Sequence, residues 1–281
     1  MNILITGCNG FLGREMSDYF SDKAVNLMLT DRSTLNPLHY DSVRKFFNSN
    51  KVDVVIHTAV KGGKRNQVDN IQTFHDNIMM FNNLASFSER FSFMFNFGSG
   101  AEFDRTNNIA LRRESEIEFE NPTDYYGLSK NLISRKIVTL NSNIFNLRLF
   151  GCFGKHEEPQ RLFRNTLNLI LLGKDPTIYQ DKYMDYFYAQ DVGRVINYII
   201  HNKEQRLPKD INLCYRKKYL LSEQVNFITD SLTESGIHVK INKTGLANSY
   251  TGNAEALYNL EIQLQGLQIG IQKCLKSWKK Y

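Results

Sequence analysis

The stretch Asn2-Ile3-Leu4-Ile5-Thr6-Gly7-Cys8-Asn9-Gly10-Phe11-Leu12-Gly13 decides the fold. Its first five residues form an apolar run that reads as a buried strand, and beyond Gly10 the spacing of Leu12, Met16, Tyr19 and Phe20 puts them on one stripe of a helix. Glycines punctuate the passage from one to the other. In such a strand–turn–helix one glycine makes the tight turn, another lets backbone amides approach an anion, and a third lets the helix pack closely on the strand. The stretch therefore predicts a dinucleotide site built on Gly7, Asn9, Gly10, Phe11, Leu12 and Gly13, with the pyrophosphate at the start of the helix.

Outward from it, apolar runs alternate with helix-period segments. Val25 to Thr30 reads as a second strand, Val43, Phe46 and Phe47 as a helix face, and Val52 to His57 as a third strand. Phe74, Ile78, Phe81 and Ala85 line another helix, Phe93 to Phe97 a strand, residues 124–140 a long helix, and Ile144 to Phe150 a further strand. This alternation predicts an α/β fold, a doubly wound parallel sheet over residues 1–155 to which the chain returns around 185–203. From 156 to 281 the rhythm loosens around one helix, Leu162 to Leu172, bounded by Gly154, Pro159, Gly173 and Pro176, as expected of a small substrate lobe.

Composition narrows the functional classes. With 42% hydrophobic and 23% charged residues in 281, the chain is neither mainly disordered nor a polytopic membrane protein. No apolar run reaches the roughly 18 residues of a membrane span, and a strand directly after Met1 leaves no room for a secretory signal, so a cytoplasmic location is expected. Cys8, Cys152, Cys214 and Cys274 lie far apart, which suits reduced thiols and offers no metal site. The net charge of +6 suits an anionic ligand but is not gathered into the stripe that nucleic acid requires; the basic tail of Lys273, Lys276, Lys279 and Lys280 reads as a solvated helix end.

The end of the second strand bears on which dinucleotide binds. Asp31 there suits the ribose hydroxyls of NAD, whereas Arg32 suits the 2′-phosphate of NADP, and the two residues disagree. Tyr126 and Lys130 stand at i, i+4 on one helix face, where a lysine ammonium would draw the phenol pKa down toward working pH and fit the tyrosine for proton transfer to a carbonyl or alcohol. Ser99 follows the strand Phe93 to Phe97 at the sheet edge where ligands bind, placed to hold a substrate oxygen for that tyrosine.

With these residues placed, the chain resembles the extended short-chain dehydrogenase/reductases that act on nucleotide sugars, and its local motifs are most similar to the GDP-fucose synthase family of epimerase/reductases. The resemblance rests on the G-x-x-G-x-x-G spacing, on Leu29 to Asn36, on His57-Thr58-Ala59-Val60-Lys61-Gly62-Gly63, and on Asp76 to Met80. Tyr126-Gly127-Leu128-Ser129-Lys130, Leu147-Arg148-Leu149-Phe150-Gly151 and Phe187 to Val192 extend it across roughly residues 1–195. It implies a Ser99, Tyr126 and Lys130 catalytic set, with Thr58, Ala59, Val60, Leu149, Tyr126 and Lys130 joining the glycine turn, Asp31 and Arg32 at the dinucleotide. It also implies Lys61, Ala101, Glu102 and Arg161 at the substrate, a nucleoside-diphosphate sugar, and a homodimer through helices near 74–90 and 124–140, whose apolar faces core packing explains nearly as well.

Departures from that family shape the functional expectation. Where the epimerase/reductases carry a cysteine two residues after the serine, this chain has Ala101, and the position of their histidine falls near Arg161, with His156 close by. The Asp-Glu pair of sugar-nucleotide dehydratases is also missing. Hydride transfer survives without carbon-acid chemistry, so the expectation is an NADPH-dependent reductase of a 4-keto group, or of an open-chain aldehyde, on a nucleotide-activated sugar. A 4-epimerase with tightly held NAD and a non-catalytic dinucleotide sensor are the alternatives.

Overall fold

A computed structural model of the chain describes residues 1–64, 68–140, 142–202, 204–205, 207–232 and 237–279. The first half lays down β1 (Asn2–Thr6), α1 (Phe11–Ser21), β2 (Asn26–Thr30), α2 (Tyr40–Ser49), β3 (Val54–His57), α3 (Ile71–Ala85), β4 (Phe93–Ser99), β5 (Ile109–Arg112), α4 (Tyr125–Thr139) and β6 (Ile144–Leu149). There follow β7 (Cys152–Phe153), α5 (Leu162–Leu171), β8 (Thr177–Asp181), β9 (Phe187–Tyr188), α6 (Ala189–His201) and β10 (Asp210–Leu213). The last stretch holds α7 (Leu221–Leu232), β11 (Lys240–Leu246), β12 (Tyr250–Gly252), α8 (Glu255–Tyr258) and α9 (Leu267–Trp278).

Successive side chains along each buried strand serve opposite faces of the sheet, and this period of two sets the layers. Ile3 and Ile5 of β1, with Val54 and Ile56 of β3, join Met16 and Phe20 of α1, Phe163 of α5 and Val192 and Ile196 of α6 in one core. Leu4 and Val55, one position out of phase, meet Val43 and Phe47 of α2, Phe81 and Leu84 of α3 and Ile133 and Ile137 of α4 in the other. The six strands pair in the order β2-β1-β3-β4-β6-β10, all parallel. From β1 the chain goes to one side for β2 and then to the other for β3, so the crevice at the carboxyl ends of β1 and β3 is where a doubly wound sheet takes its ligand.

The doubly wound sheet matches the sequence expectation, but its last strand comes from further along the chain than 185–203. That range supplies α6, which packs beside α1, while β10 at 210–213 completes the sheet against β6. Asp210-Ile211-Asn212-Leu213 hides from sequence reading because it alternates polar with apolar residues, the sign of a half-exposed strand, although all four residues are buried. Their polar side chains are buried because Arg148 and Asn146 bond them. The lobe likewise reaches back into the first half, since β12 pairs with β5.

The four cysteines are free, three of them buried. Among the described residues no helix is long and apolar enough to cross a membrane and no His/Cys/Asp/Glu group could hold a metal ion. Of the basic tail, Lys280 lies outside the described residues.

Candidate active site

At the crevice the chain turns from β1 into α1 through glycines that leave no room for a side chain. Gly7 has φ +67°, and a Cβ on it would stand 2.8 Å from the Cα of Ala59; a Cβ on Gly13 would strike the carbonyl oxygen of Gly7. Gly10 caps α1 without a side-chain bond, and no acidic residue occupies the first turn. The opening amides of a helix have no acceptor within it, and here nothing anionic competes for them. The cradle therefore fits a dinucleotide pyrophosphate. Beside it the Thr58 hydroxyl donates to the Thr6 carbonyl at 2.6 Å, Ala59 N–H faces the Thr6 hydroxyl at 3.5 Å, Val60 is exposed, and Leu149 closes the end of β6.

Asp31 and Arg32 do not present themselves equally. One carboxylate oxygen of Asp31 accepts from the Ser33 amide at 2.9 Å, the Ser33 hydroxyl at 2.7 Å and the Thr34 amide at 3.3 Å, while the other faces Asn9 Nδ2 at 3.4 Å. Those bonds, led by the Ser33 hydroxyl, lower its pKa. The carboxylate is thus turned onto its own loop. Arg32 is exposed beside it, and its charge reaches Asp76.

Ser99 ends β4, and Tyr126 and Lys130 project from the first turns of α4, which Asp124 caps by accepting from the Gly127 amide at 2.8 Å. The Ser99 hydroxyl, which accepts from the Ala101 amide at 3.2 Å, lies close enough to the Tyr126 phenol to influence its ionisation. Lys130 is buried, donates to the Phe97 carbonyl at 2.9 Å and lies 6.0 Å from the centre of the Tyr126 ring. The structure thus brings the three residues together, but with the phenol shifted in the opposite direction from the one the sequence suggests. Burial pushes Tyr126 up to about 12, with the Ser99 hydroxyl opposing, and pulls Lys130 down to about 8, against the opposing field of Glu102. Desolvation dominates the phenol, and Tyr126 stays protonated at neutral pH.

The four residues expected at the substrate scatter. Glu102 is fully buried beneath the serine turn, where one carboxylate oxygen accepts from the Ser99 amide at 2.7 Å and the other from Arg148 Nε at 2.6 Å. Ala101 is buried with it. Neither has the exposed surface a substrate contact requires, so Glu102 acts as a brace under Ser99. Arg161 leans over the Phe11 ring at 5.4 Å and donates to the Cys152 carbonyl at 3.1 Å, which sets it against the start of α1. Lys61 pairs with Asp76 at 2.6 Å, on the side of the crevice that feels Arg32.

Four residues of the site escape the sequence reading of roles. His57 ends β3 with Nδ1 at 2.8 Å from the Thr6 hydroxyl; burial, then the charge of Lys130, pushes its pKa down to about 3 and keeps it neutral. Gly63, at φ +72°, lies so flat on the Tyr126 ring that a Cβ would stand 2.7 Å from Cζ. Arg105 sits 5.9 Å from that ring's centre and pairs with Asp124 at 2.7 Å. Tyr250, from β12, reaches in from the lobe so that its hydroxyl would stand 2.9 Å from a Cβ on Gly100, the residue after Ser99. Of the four, His57 and Gly63 left a signal, as the two ends of the His57 to Gly63 stretch in the resemblance noted above; Arg105 and Tyr250 left none.

A model of the NAD dependent epimerase/dehydratase family matches residues 3–214, most of the chain and all six strands of the main sheet. The chain belongs to that family. Membership makes it a nicotinamide-dinucleotide-dependent enzyme of the extended short-chain dehydrogenase/reductase type. Among its relatives in the family, GDP-L-colitose synthase of Yersinia pseudotuberculosis is 22% identical over 261 residues, 85% of this chain and 84% of its own. The solved structure of GDP-mannoheptose C4 reductase from Campylobacter jejuni with NADP bound superposes at a TM-score of 0.83 and 19% identity, covering 99% of this chain and 98% of that one. That of dTDP-glucose 4,6-dehydratase from Bacillus anthracis in complex with NAD gives 0.81 at 17%, covering 100% and 97%. The fold is therefore common to proteins named for different chemistries and holding different dinucleotides.

Proposed function

We propose that the protein is an NADPH-dependent reductase of a carbonyl on a nucleotide-activated sugar, a 4-keto group in preference to an open-chain aldehyde. One observation carries the reading. A phenol held protonated beside a serine hydroxyl is a ready proton donor aimed at an oxygen that the serine can grip. The dinucleotide, when bound, supplies hydride to the carbonyl carbon. Ser99 donates a hydrogen bond to the carbonyl oxygen, Tyr126 gives that oxygen its proton, and Lys130 holds the electrostatic balance under the phenol, so that hydride plus proton yields the alcohol.

Asp31 folded onto Ser33 and Thr34, with Arg32 exposed beside it, supports NADPH over NADH. The rival 4-epimerase would return its hydride and consume no cofactor. Inversion next to the carbonyl needs two titrating groups at the carbon, and the three positions where the resemblance would put them do not supply such a pair: Ala101 has no proton to exchange, Arg161 is a poor base, and His156 is tied to Asp18 at 2.8 Å. The intact Ser99, Tyr126 and Lys130 set argues against a mere sensor. Exposed apolar residues on α3 and α4, among them Met79, Leu132 and Val138, suit a homodimer joined through those helices. The deciding experiment is a spectrophotometric screen of NADPH oxidation over nucleoside-diphosphate keto sugars, run in D2O. Stoichiometric oxidation with no deuterium at C3 or C5 is expected. Turnover without net oxidation, or deuterium at either carbon, overturns the reading.

A further inference from the structure

Two cations stand at nearly the same distance from the Tyr126 ring, Lys130 Nζ at 6.0 Å from its centre and the Arg105 guanidinium at 5.9 Å. The lysine belongs to the expected catalytic set; the arginine does not. Arg105 is carried there by an unusual piece of backbone. The short 3-10 turn Gly100–Phe103 that follows Ser99 ends at Asp104, a buried residue with φ +55° and ψ +101°. That conformation is strained for a residue other than glycine, and the Asp104 carboxylate holds it by accepting from the Thr106 amide at 3.1 Å and the Thr106 hydroxyl at 2.8 Å. The turn brings Arg105 to the start of α4, where its Nε and Nη2 donate to the two carboxylate oxygens of Asp124 at 3.2 and 2.7 Å. The same Asp124 caps the helix by accepting from the Gly127 amide. A fork of this kind fixes a guanidinium in place, which a single lysine bond would not do.

The position matters because giving up a proton leaves a negative charge on the phenol, in a site where burial disfavours it. The other titratable groups around the ring do not help. Asp69, whose carboxylate holds the Gly63 amide at 3.1 Å, and Glu102 beneath the serine turn are acids, and Tyr250 from the lobe brings a second phenol. Lys130 is pulled down to about 8, so its charge fades as pH rises through that value, whereas a guanidinium stays protonated. We propose that Arg105 is a positioning residue of the reduction site: clamped on Asp124, it keeps a permanent positive charge beside the Tyr126 ring and steadies the phenolate left when the phenol's proton passes to the substrate oxygen. No bond is made or broken at Arg105. The catalytic consequence rests on the reductase reading above; the charge beside the ring does not.

Arg105→Met keeps much of the side chain's length and removes its charge. A unit charge at 5.9 Å, with an effective dielectric constant of about 20, would move a phenol's ionisation by about two pH units. Because the Arg105 side chain is 40% exposed, solvent reduces this to roughly one. In protein carrying 3,5-difluorotyrosine at position 126, whose phenol ionises at lower pH than that of tyrosine, 19F NMR follows the titration without cofactor or substrate. Arg105→Met should move it upward by roughly one pH unit, and Arg105→Lys, which keeps the charge, should restore most of that shift. An arginine that only braced the first turn of α4 would change Tm and leave the titration where it was. An unmoved titration in Arg105→Met, or equal shifts in the Met and Lys variants, therefore overturns the proposal. With the ordinary tyrosine in place, turnover of a nucleoside-diphosphate keto sugar should fall about threefold to tenfold in Arg105→Met, part or all of the factor that one pH unit represents, in kcat more than in KM. Full activity also overturns the proposal. A wild type that oxidises no NADPH with any such sugar sinks the reductase reading alone, and the 19F titration still decides whether Arg105 serves the phenol.

Discussion

Replacing Arg148 with methionine tests what holds the serine turn in place. The guanidinium is fully buried and makes four bonds: to Glu102 at 2.6 Å, Asp210 at 2.6 Å, Ser134 at 2.8 Å and Asn212 at 2.9 Å. Methionine fills much of the same volume, so the loss is electrostatic, and it leaves two carboxylates buried without their cation. Breaking a buried pair by removing one partner costs about 3–5 kcal/mol. At about 2 °C per kcal/mol in a chain of this size, Tm should fall by roughly 6–10 °C. The deficit should also depend on pH. Burial already raises the Glu102 pKa, with the Arg148 charge opposing it, and the variant removes that opposition. The folded state then binds a proton that the unfolded state has released, so the variant loses stability as pH rises above the ordinary carboxylate range and recovers it as pH falls back. Differential scanning calorimetry of both proteins at pH 5 and pH 8 reads this directly. The gap in Tm should be wider at the higher pH. An equal gap at both, or a variant as stable as the wild type, would show that Glu102 does not depend on Arg148 for its charge. Because Glu102 also holds the Ser99 amide at 2.7 Å, kcat should drop in the same variant.

Three further outcomes are expected. Tyr126→Phe should bind NADPH normally, as followed by its fluorescence, while turnover falls by about two to four orders of magnitude; retained turnover would mean that another group protonates the substrate. Arg32→Ala should abolish the preference for NADPH, a charge-assisted contact worth about 1.5–3 kcal/mol, whereas Asp31→Ala should leave it or sharpen it; a wild type that prefers NADH in paired titrations refutes the assignment. Gly7→Ala combines a strained φ of +67° with a clash on Ala59, so dinucleotide affinity should fall at least tenfold while sugar-nucleotide binding persists; calorimetric titration showing unchanged NADPH affinity would remove the glycine turn from the site.

What the sequence revealed follows a physical divide. Strands buried on both faces are continuous apolar runs, and the glycine turn, Ser99 and the Tyr126/Lys130 spacing are local patterns, so β1 through β4, β6 and the crevice were legible from neighbouring residues alone, whereas the short, half-exposed β5 was not. Nor was β10, because its Asp210 and Asn212 are buried by virtue of partners far away in the chain, Arg148 and Asn146 among them. Tyr250 escaped for the same reason, since its place beside Gly100 depends on β12 pairing with β5. The direction of the Tyr126 shift was not legible either, because spacing reports proximity and says nothing of desolvation, which dominates both groups here. Glu102 read as a substrate contact because its position in the motif is close to Ser99, whereas its carboxylate faces inward to Arg148.

The bond between Arg148 and Asp210 also bears on how the protein is made. The partners are 62 residues apart, and at about 5–20 residues per second of synthesis the arginine waits several seconds before its second carboxylate leaves the ribosome. During that interval β6 is an unprotected edge of the sheet, with a charged side chain on one of its faces. The nascent first half is therefore poorly suited to settle early by itself, and a fragment ending at residue 155 should be prone to aggregate where the full chain is not. The same delay orders assembly: the last strand docks only once the chain beyond α6 has emerged, long after β1 and β3, whose ends frame the dinucleotide crevice, have been synthesised.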